Sequence, residues 1–563
     1  MSTRQRINIM KDRQGIINGI GDDIQRLLYD YVEAKSYTNT ADEKEAENFL
    51  LEHFAAIPYF AEHSDYYGAY PIPGDGYGRA VCFAMVKGEG SDTVVFVHHS
   101  DVVDIEDFKL LKPFAFRPDE LREELMKIKD DLSMEARGDL ESGEFIFGRG
   151  VADMKGGGSI QISLLERYSR QEDFKGNVIV IMVPDEENLS AGMRAAVKLL
   201  ADLQDKYGLN YKLMINSEPH QRKARDEGIF SEGSVGKIMP FVYVRGNLSH
   251  IGKVFEGLNP VNLLSEIVRR TELNMDFSDV VGDECAPPPT WLHMKDSKVH
   301  YDVSMPLSMY GCFSILTLTQ TPEEVMEKVR KVCEESFETV LSDMNASYEE
   351  FSSKTRPVAE SLPWQVKVSS FGELYEEAVR SYGDAFIEEY SKKTEAIAGD
   401  IACKAINIID GNRMILEFVY DYICDFSPRI VYGLIPPYYP SVSNLFFDEE
   451  IGDRFYNVIT DYAKQKFGQR YVREYFYTGI SDLSYTNIED GRGAAETFRK
   501  YMPLFGMSYD IPFEAIEKIS MPCINVGPWG KDFHKLTERV SKEDLYIRTP
   551  AIVNEMVFNV LEG

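Results

Sequence analysis

Between about residue 60 and residue 235, continuous apolar runs of strand length alternate with helical ones, and few folds accept that order. "TVVFVHHSD", "NVIVIMVPDEE" and "YKLMINSEP" read as strands; "GGSIQISLLERYSRQ" and "SAGMRAAVKLLADLQDKYG" read as helices between them. A strand that is apolar throughout, rather than at every second position, has to be covered on both faces. Parallel strands joined by crossover helices meet that demand. The expectation is therefore an α/β fold with a mostly parallel sheet and helices on both faces. Two helices precede it: "IQRLLYDYVEA" has apolar residues at helical spacing, and "TNTADEKEAENFLLEHFAAI" starts at a Thr/Asn cap with acids in its first turn.

The 563 residues exceed one ordinary core. A charged stretch between Asp104 and Gly148 reads as a surface loop with a short helix. From about 236 to 375 the pattern changes. A strand at "KIMPFVYVRGN", a helix at "NPVNLLSEIVRRTEL", a hairpin within "VHYDVSMPLSMYGCFSILTLTQ", a helix at "TPEEVMEKVRKVCEESFETVL" and a strand near "WQVKVSSF" follow in turn. That β-α-β-β-α-β order is the split ferredoxin-like plan. Beyond it come strands near "RIVYGLI" and "SMPCINVG" and a last helix, "TPAIVNEMVFNVLE". The expected division is a first catalytic segment, 1–235, an inserted α+β domain, 236–375, and a second catalytic segment, 376–563.

Acidic residues (92) outnumber Lys and Arg (61), for a net charge of −31. Such a surface repels nucleic acid and anionic membranes, which are set aside as partners. The seven cysteines form no C-x-x-C pair, so a reduced, cytoplasmic protein is expected. "MSTRQRINIMKDRQG" lacks the apolar core of a signal peptide, and no apolar run reaches membrane-spanning length.

Chemistry-bearing residues collect at the ends of the apolar strands. One ends in His99-Ser100-Asp101, one in Asp185-Glu186-Glu187, one in Glu218, and "SMPCINVGPWGKDFH" leads to His534. In open parallel sheets, sites lie outside the carboxyl ends of the strands. Taken singly, each of these groups reads as a solvated loop or an ordinary surface residue. Together with Asp153 of "FGRGVADMKGGGS", they make a nitrogen and oxygen donor set suited to zinc, which could also take cobalt or manganese. His99, Asp153, Glu187, Glu218 and His534 would hold two ions, with Asp153 shared. His99 and Asp101, two apart in extended chain, face the same way, so Asp101 is placed to orient the ring; His98 points away. Glu186 is left beside the metals as a general base, and Asp185 faces outward. The glycine run lacks the order of a phosphate-binding loop.

This series, H-x-D, G-R-G-x-x-D-M-K-G-G, D-E-E, S-E-P and G-P-W-G-K-D-F-H-K-L-T-E, resembles that of the co-catalytic zinc peptidases of clan MH. That family includes acetylornithine deacetylase, succinyl-diaminopimelate desuccinylase, peptidase T and glutamate carboxypeptidase. The match covers about 20–235 and 520–545. The long insertion, "FGRG", "GISDLSY" and the overall length look most like the bacterial arginine-utilisation peptidases of the Roc type. The resemblance implies a zinc-exopeptidase-like fold whose small domain is a lid or dimerisation domain, so a homodimer is possible. It implies that His99 and Glu218 bind one zinc, and Glu187 and His534 the other, with Asp153 bridging. Glu186 would be the base and Asp101 the orienter. It also implies a cis peptide at Asp153-Met154 and a substrate-binding role for His250 in "GNLSHIGKVFEGLNP".

Two departures stand out. Where many relatives carry D-x-R on a lid strand, "ILTLTQTP" has Thr317 and Thr319, so the usual grip on a substrate carboxylate is missing. The chain is also longer than the smaller deacylases. The expected activity is hydrolysis of an amide bond in a small peptide or N-acyl amino acid, in arginine or other amino-acid catabolism. The competing reading is a non-catalytic relative kept as a binding or assembly protein.

Overall fold

The computed structural model describes residues 13, 15–222, 224–355, 361–447 and 449–562; most of the N-terminal stretch read above for a signal peptide lies outside them. The chain forms two compact units. One comprises 1–234, 442–489 and 514–563, the other 235–441 and 490–513.

The first unit is built on an eight-stranded sheet. Its spatial order is Tyr67–Pro71, Ala80–Lys87, Lys175–Val183, Glu89–His99, Asn210–Asn216, Cys523–Asn525, Glu227–Ser231 and Arg470–Glu474. The strands Lys175–Val183, Glu89–His99, Asn210–Asn216 and Cys523–Asn525 run parallel to one another. Both faces are buried, as the unbroken apolar runs require. Val178, Val180 and Met182 pack into a core with the helices Ile20–Glu33, Lys155–Tyr168 and Thr549–Glu562. Ile179, Ile181 and Val183 alternate with them and are equally buried. The interruption at 104–148 holds two α-helices, Pro118–Lys127 and Met134–Ser142, where one was expected. They enclose a small core of their own around Phe108, Leu121, Leu125 and Leu140.

The second unit is a sheet between two layers of helices. Its strands are ordered Thr290–Asp296, Ser308–Thr317, Pro240–Arg245, Arg429–Leu434 and Val368–Ser370. The hairpin is present, but its first arm is "TWLHMKD", upstream of the stretch read for it. Residues 376–441 and 490–513, assigned above to the catalytic domain, belong here. The strand Arg429–Leu434 slots antiparallel beside Pro240–Arg245 and parallel beside Val368–Ser370, adding one strand to the ferredoxin-like order. Helices Phe371–Tyr382, Asp384–Ala402 and Ile408–Tyr420 bury the face that carries Phe241 and Tyr243. Helices Pro260–Thr271 and Pro322–Lys354 pack against each other and on strands of the same sheet. Among the described residues, no helix is long and apolar enough to cross a membrane.

Candidate metal centre

The strand Glu89–His99 stops at the sheet edge, and the chain turns through buried Ser100 and Asp101. His99 Nε2 lies 3.1 Å from Asp153 Oδ1 and 3.4 Å from Glu218 Oε1. The other ring nitrogen, Nδ1, is 3.0 Å from the backbone carbonyl of Asp101 and 3.6 Å from its carboxylate. Asp101 thus meets this ring nitrogen with both its carbonyl and its carboxylate. The carboxylate also accepts the backbone N–H groups of Glu186 (3.1 Å) and Glu187 (3.2 Å), fixing the end of the neighbouring strand. His98 points the other way, with Nδ1 2.9 Å from Gln161 Oε1.

On the far side of Asp153, His534 Nε2 lies 3.1 Å from its Oδ2 and 2.9 Å from Glu187 Oε1. Two three-residue groups thus share Asp153: His99, Asp153 and Glu218, and Asp153, Glu187 and His534, each with its donor atoms within 4.8 Å of one another. Asp153 is held from behind by Glu538, which accepts the N–H groups of Ala152 and Asp153 (both 3.3 Å) and pairs with Arg149 at 2.6 Å. The arginine of "FGRG" and the last glutamate of "HKLTE" are thereby one contact. The Asp153-Met154 peptide is cis.

The glycines of "DMKGGGS" serve close approach. A Cβ on Gly157 would lie 2.2 Å from the Ser217 carbonyl oxygen, and one on Gly158 would lie 2.5 Å from the His98 ring. The helix start can then lie directly over the strand ends. Asp185, expected to face outward, is buried: its carboxylate pairs with Arg79 at 2.8 Å, beside Glu43 on the same guanidinium. An arginine far back in the chain neutralises the first acid of the run.

The electrostatics are those of a site short of positive charge. Burial, with crowding by other carboxylates, raises Glu186 well above the ordinary range, raises Glu187, and pushes Glu218 up to about 7. Burial would raise half-buried Asp153 as well, but its contacts to His534 and His99 hold it low. His534, hydrogen-bonded to Asp153 and Glu187, rises to about 10. Divalent ions suit this set of imidazoles and carboxylates and would relieve the crowding.

The site holds further residues that the sequence reading missed. Asp482, in "GISDLSY", is buried, and burial pushes its carboxyl up to about 8; the charges of His99, Glu218, Asp101 and Glu187 act on it. The phenol of Tyr477 is raised by burial and by the charges of Glu218, Asp153 and Glu186. Neither carries a metal-ligand spacing that could have marked it.

His250 lies in the second unit, exposed, with Nδ1 accepting the Gly252 N–H at 3.1 Å. Thr319, in the place of the usual lid arginine, gives its hydroxyl to Asp279 at 3.1 Å.

Residues 127–553 match the model of peptidase family M20/M25/M40. The chain is 32% identical to the uncharacterised protein YqjN of Bacillus subtilis over 92% of its length and 93% of that protein. It is 28% identical to protein RocB of the same organism, over 96% and 95%. The fold is similar to that of Bacillus subtilis YXEP, a dinuclear metal-binding peptidase of the M20 family. The TM-score is 0.50 at 13% identity, covering 97% of this chain and 99% of that one. The chain is a metal-dependent amide hydrolase of peptidase family M20/M25/M40.

Proposed function

We propose that the chain is a dinuclear zinc hydrolase that cleaves the amide bond of a small peptide or N-acyl amino acid. The sharing of Asp153 between two donor groups carries the reading. His99 and Glu218 would hold one ion, Glu187 and His534 the other, with Asp153 between them. Bound there, the pair would supply a nucleophile at neutral pH and polarise the amide carbonyl.

The protein's own part begins with Asp101, whose carboxylate fixes the backbone of Glu186 and Glu187 so that one side chain serves as base and the other as ligand. Glu186 takes the proton of the attacking water and returns it to the leaving amine; a carboxyl raised by burial suits both transfers. His250 would donate to the substrate's carbonyl oxygen. Exposed Leu292, Met294, Val299 and Tyr301 in and beside the hairpin of the second unit support a homodimer formed through that unit. The seven unpaired cysteines support a cytoplasmic location, and the Roc-type resemblance supports a role in arginine or other amino-acid catabolism.

Elemental analysis of protein purified without chelator should give two divalent ions per chain. Glu186→Gln should keep both and lose turnover by about 10²- to 10⁴-fold; an active Gln variant removes the assigned base. Asp153→Ala should lose metal, and full retention would refute the bridge. A panel of dipeptides and N-acyl amino acids, arginine-containing ones included, then decides between peptidase and deacylase.

A further inference from the structure

The short helix Asp482–Tyr485 packs against the strands that end in His99 and Asn216, and against Cys523–Asn525. Ser481 is pinned there by the Asn216 side chain, which donates to its hydroxyl at 3.0 Å, two residues before Glu218. Asp482 is 1% exposed, yet neither carboxylate oxygen has a hydrogen-bond partner. The charges of His99, Glu218, Asp101 and Glu187 act on it, as its helix's packing on the strands that end in His99 and Asn216 requires. A buried carboxylate left without donors is costly, and a native site that keeps one calls for a reason.

The chemistry of what is missing narrows that reason. Asn525 gives its amide to the Glu218 carbonyl at 3.2 Å and leaves its own Oδ1 unpaired. The unsatisfied atoms of Asp482 are both acceptors, so the group that would meet them is a donor.

We propose that Asp482 receives a positively charged nitrogen of the substrate, the free amino group beside the scissile amide, and so selects substrates whose amino end is unblocked. This rests on the metal-hydrolase reading above and goes beyond it in naming the group recognised. The carboxylate binds and positions; it takes no part in proton transfer to the leaving amine.

The test is calorimetric and needs no turnover. Zinc-loaded Glu186→Gln protein is titrated with alanyl-alanine and with N-acetyl-alanyl-alanine, and again with Asp482→Asn added. The free peptide should bind at least about tenfold more tightly than the blocked one, as expected for a charged hydrogen bond. Asp482→Asn should erase that preference without changing zinc content. Equal binding of the two peptides, no binding of the free one, or a preference that survives Asp482→Asn would overturn the proposal and leave the hydrolase reading standing. Loss of zinc in Asp482→Asn would make the residue a ligand and overturn it as well. Protein that takes up no zinc at all would bring down both readings.

Discussion

Arg79 is buried and answers three carboxylates at once: Asp75 at 2.7 Å, Glu43 at 2.6 Å and Asp185 at 2.8 Å. Glu43 also accepts the Asp185 N–H at 2.9 Å, so this cluster sets the conformation of the loop that presents Glu186 and Glu187. Removing the cation strands several buried acids, which costs about 3–5 kcal/mol. Arg79→Met should lower the stability of the metal-free protein by that amount in urea titrations; a loss below about 1 kcal/mol, the size of a surface ion pair, would mean that the cluster is solvated. Which residues sequence could reveal follows from the same geometry. His99, Glu187 and Glu218, which the structure gathers with Asp153 and His534, stand where apolar strand runs break into donors; Asp153 and His534 lie in loops and are marked only by the motif series. Arg79 and Asp482 were not legible, because each meets the site through folding alone, from a turn and a short helix with no period or spacing to mark them.

At the scale of elements, Asp279 joins distant segments of the second unit. Its carboxylate accepts the N–H groups of Leu318 (2.9 Å), Thr319 (2.6 Å) and Gln320 (2.7 Å), just before the helix Pro322–Lys354. Burial alone would raise its pKa, but the three N–H groups and the Thr319 hydroxyl outweigh it, and the carboxyl is lowered. A carboxylate depressed in the folded state stabilises above its unfolded pKa, about 3.9, and the contribution is lost as pH falls through the folded value. Asp279→Asn should thus cost about 1–3 kcal/mol near neutrality. The gap to the parent should close below about pH 4; a gap independent of pH would remove the carboxylate's charge from the account. The βα alternation and the long helices could be read in advance because their periods are strong. "RIVYGLI" was placed in the wrong sheet because a run apolar on both sides looks the same in any covered sheet, and pairing partners are not written in a strand's own residues.

For the molecule as a whole, two separate cores imply two separable stabilities. All the proposed metal ligands lie in the first unit. A ligand that binds only the folded state stabilises it by about 4 kcal/mol at a thousandfold excess over Kd. Scanning calorimetry with and without zinc should therefore move one transition upward and leave the other in place; a common shift of both would show that the units unfold together. The chain crosses between the units four times, and the strand Cys523–Asn525 lies inside the first unit's sheet, between strands that end at residue 216 and begin at residue 227. On the ribosome this means a long wait. Well over two hundred residues emerge after those neighbours before the gap between them can be filled, and His534 arrives later still. Throughout synthesis, the growing protein carries an open, sticky seam in its sheet and a half-made metal cradle, the kind of exposure that chaperones attend. A message cut short by about forty codons would leave that seam open and His534 unmade.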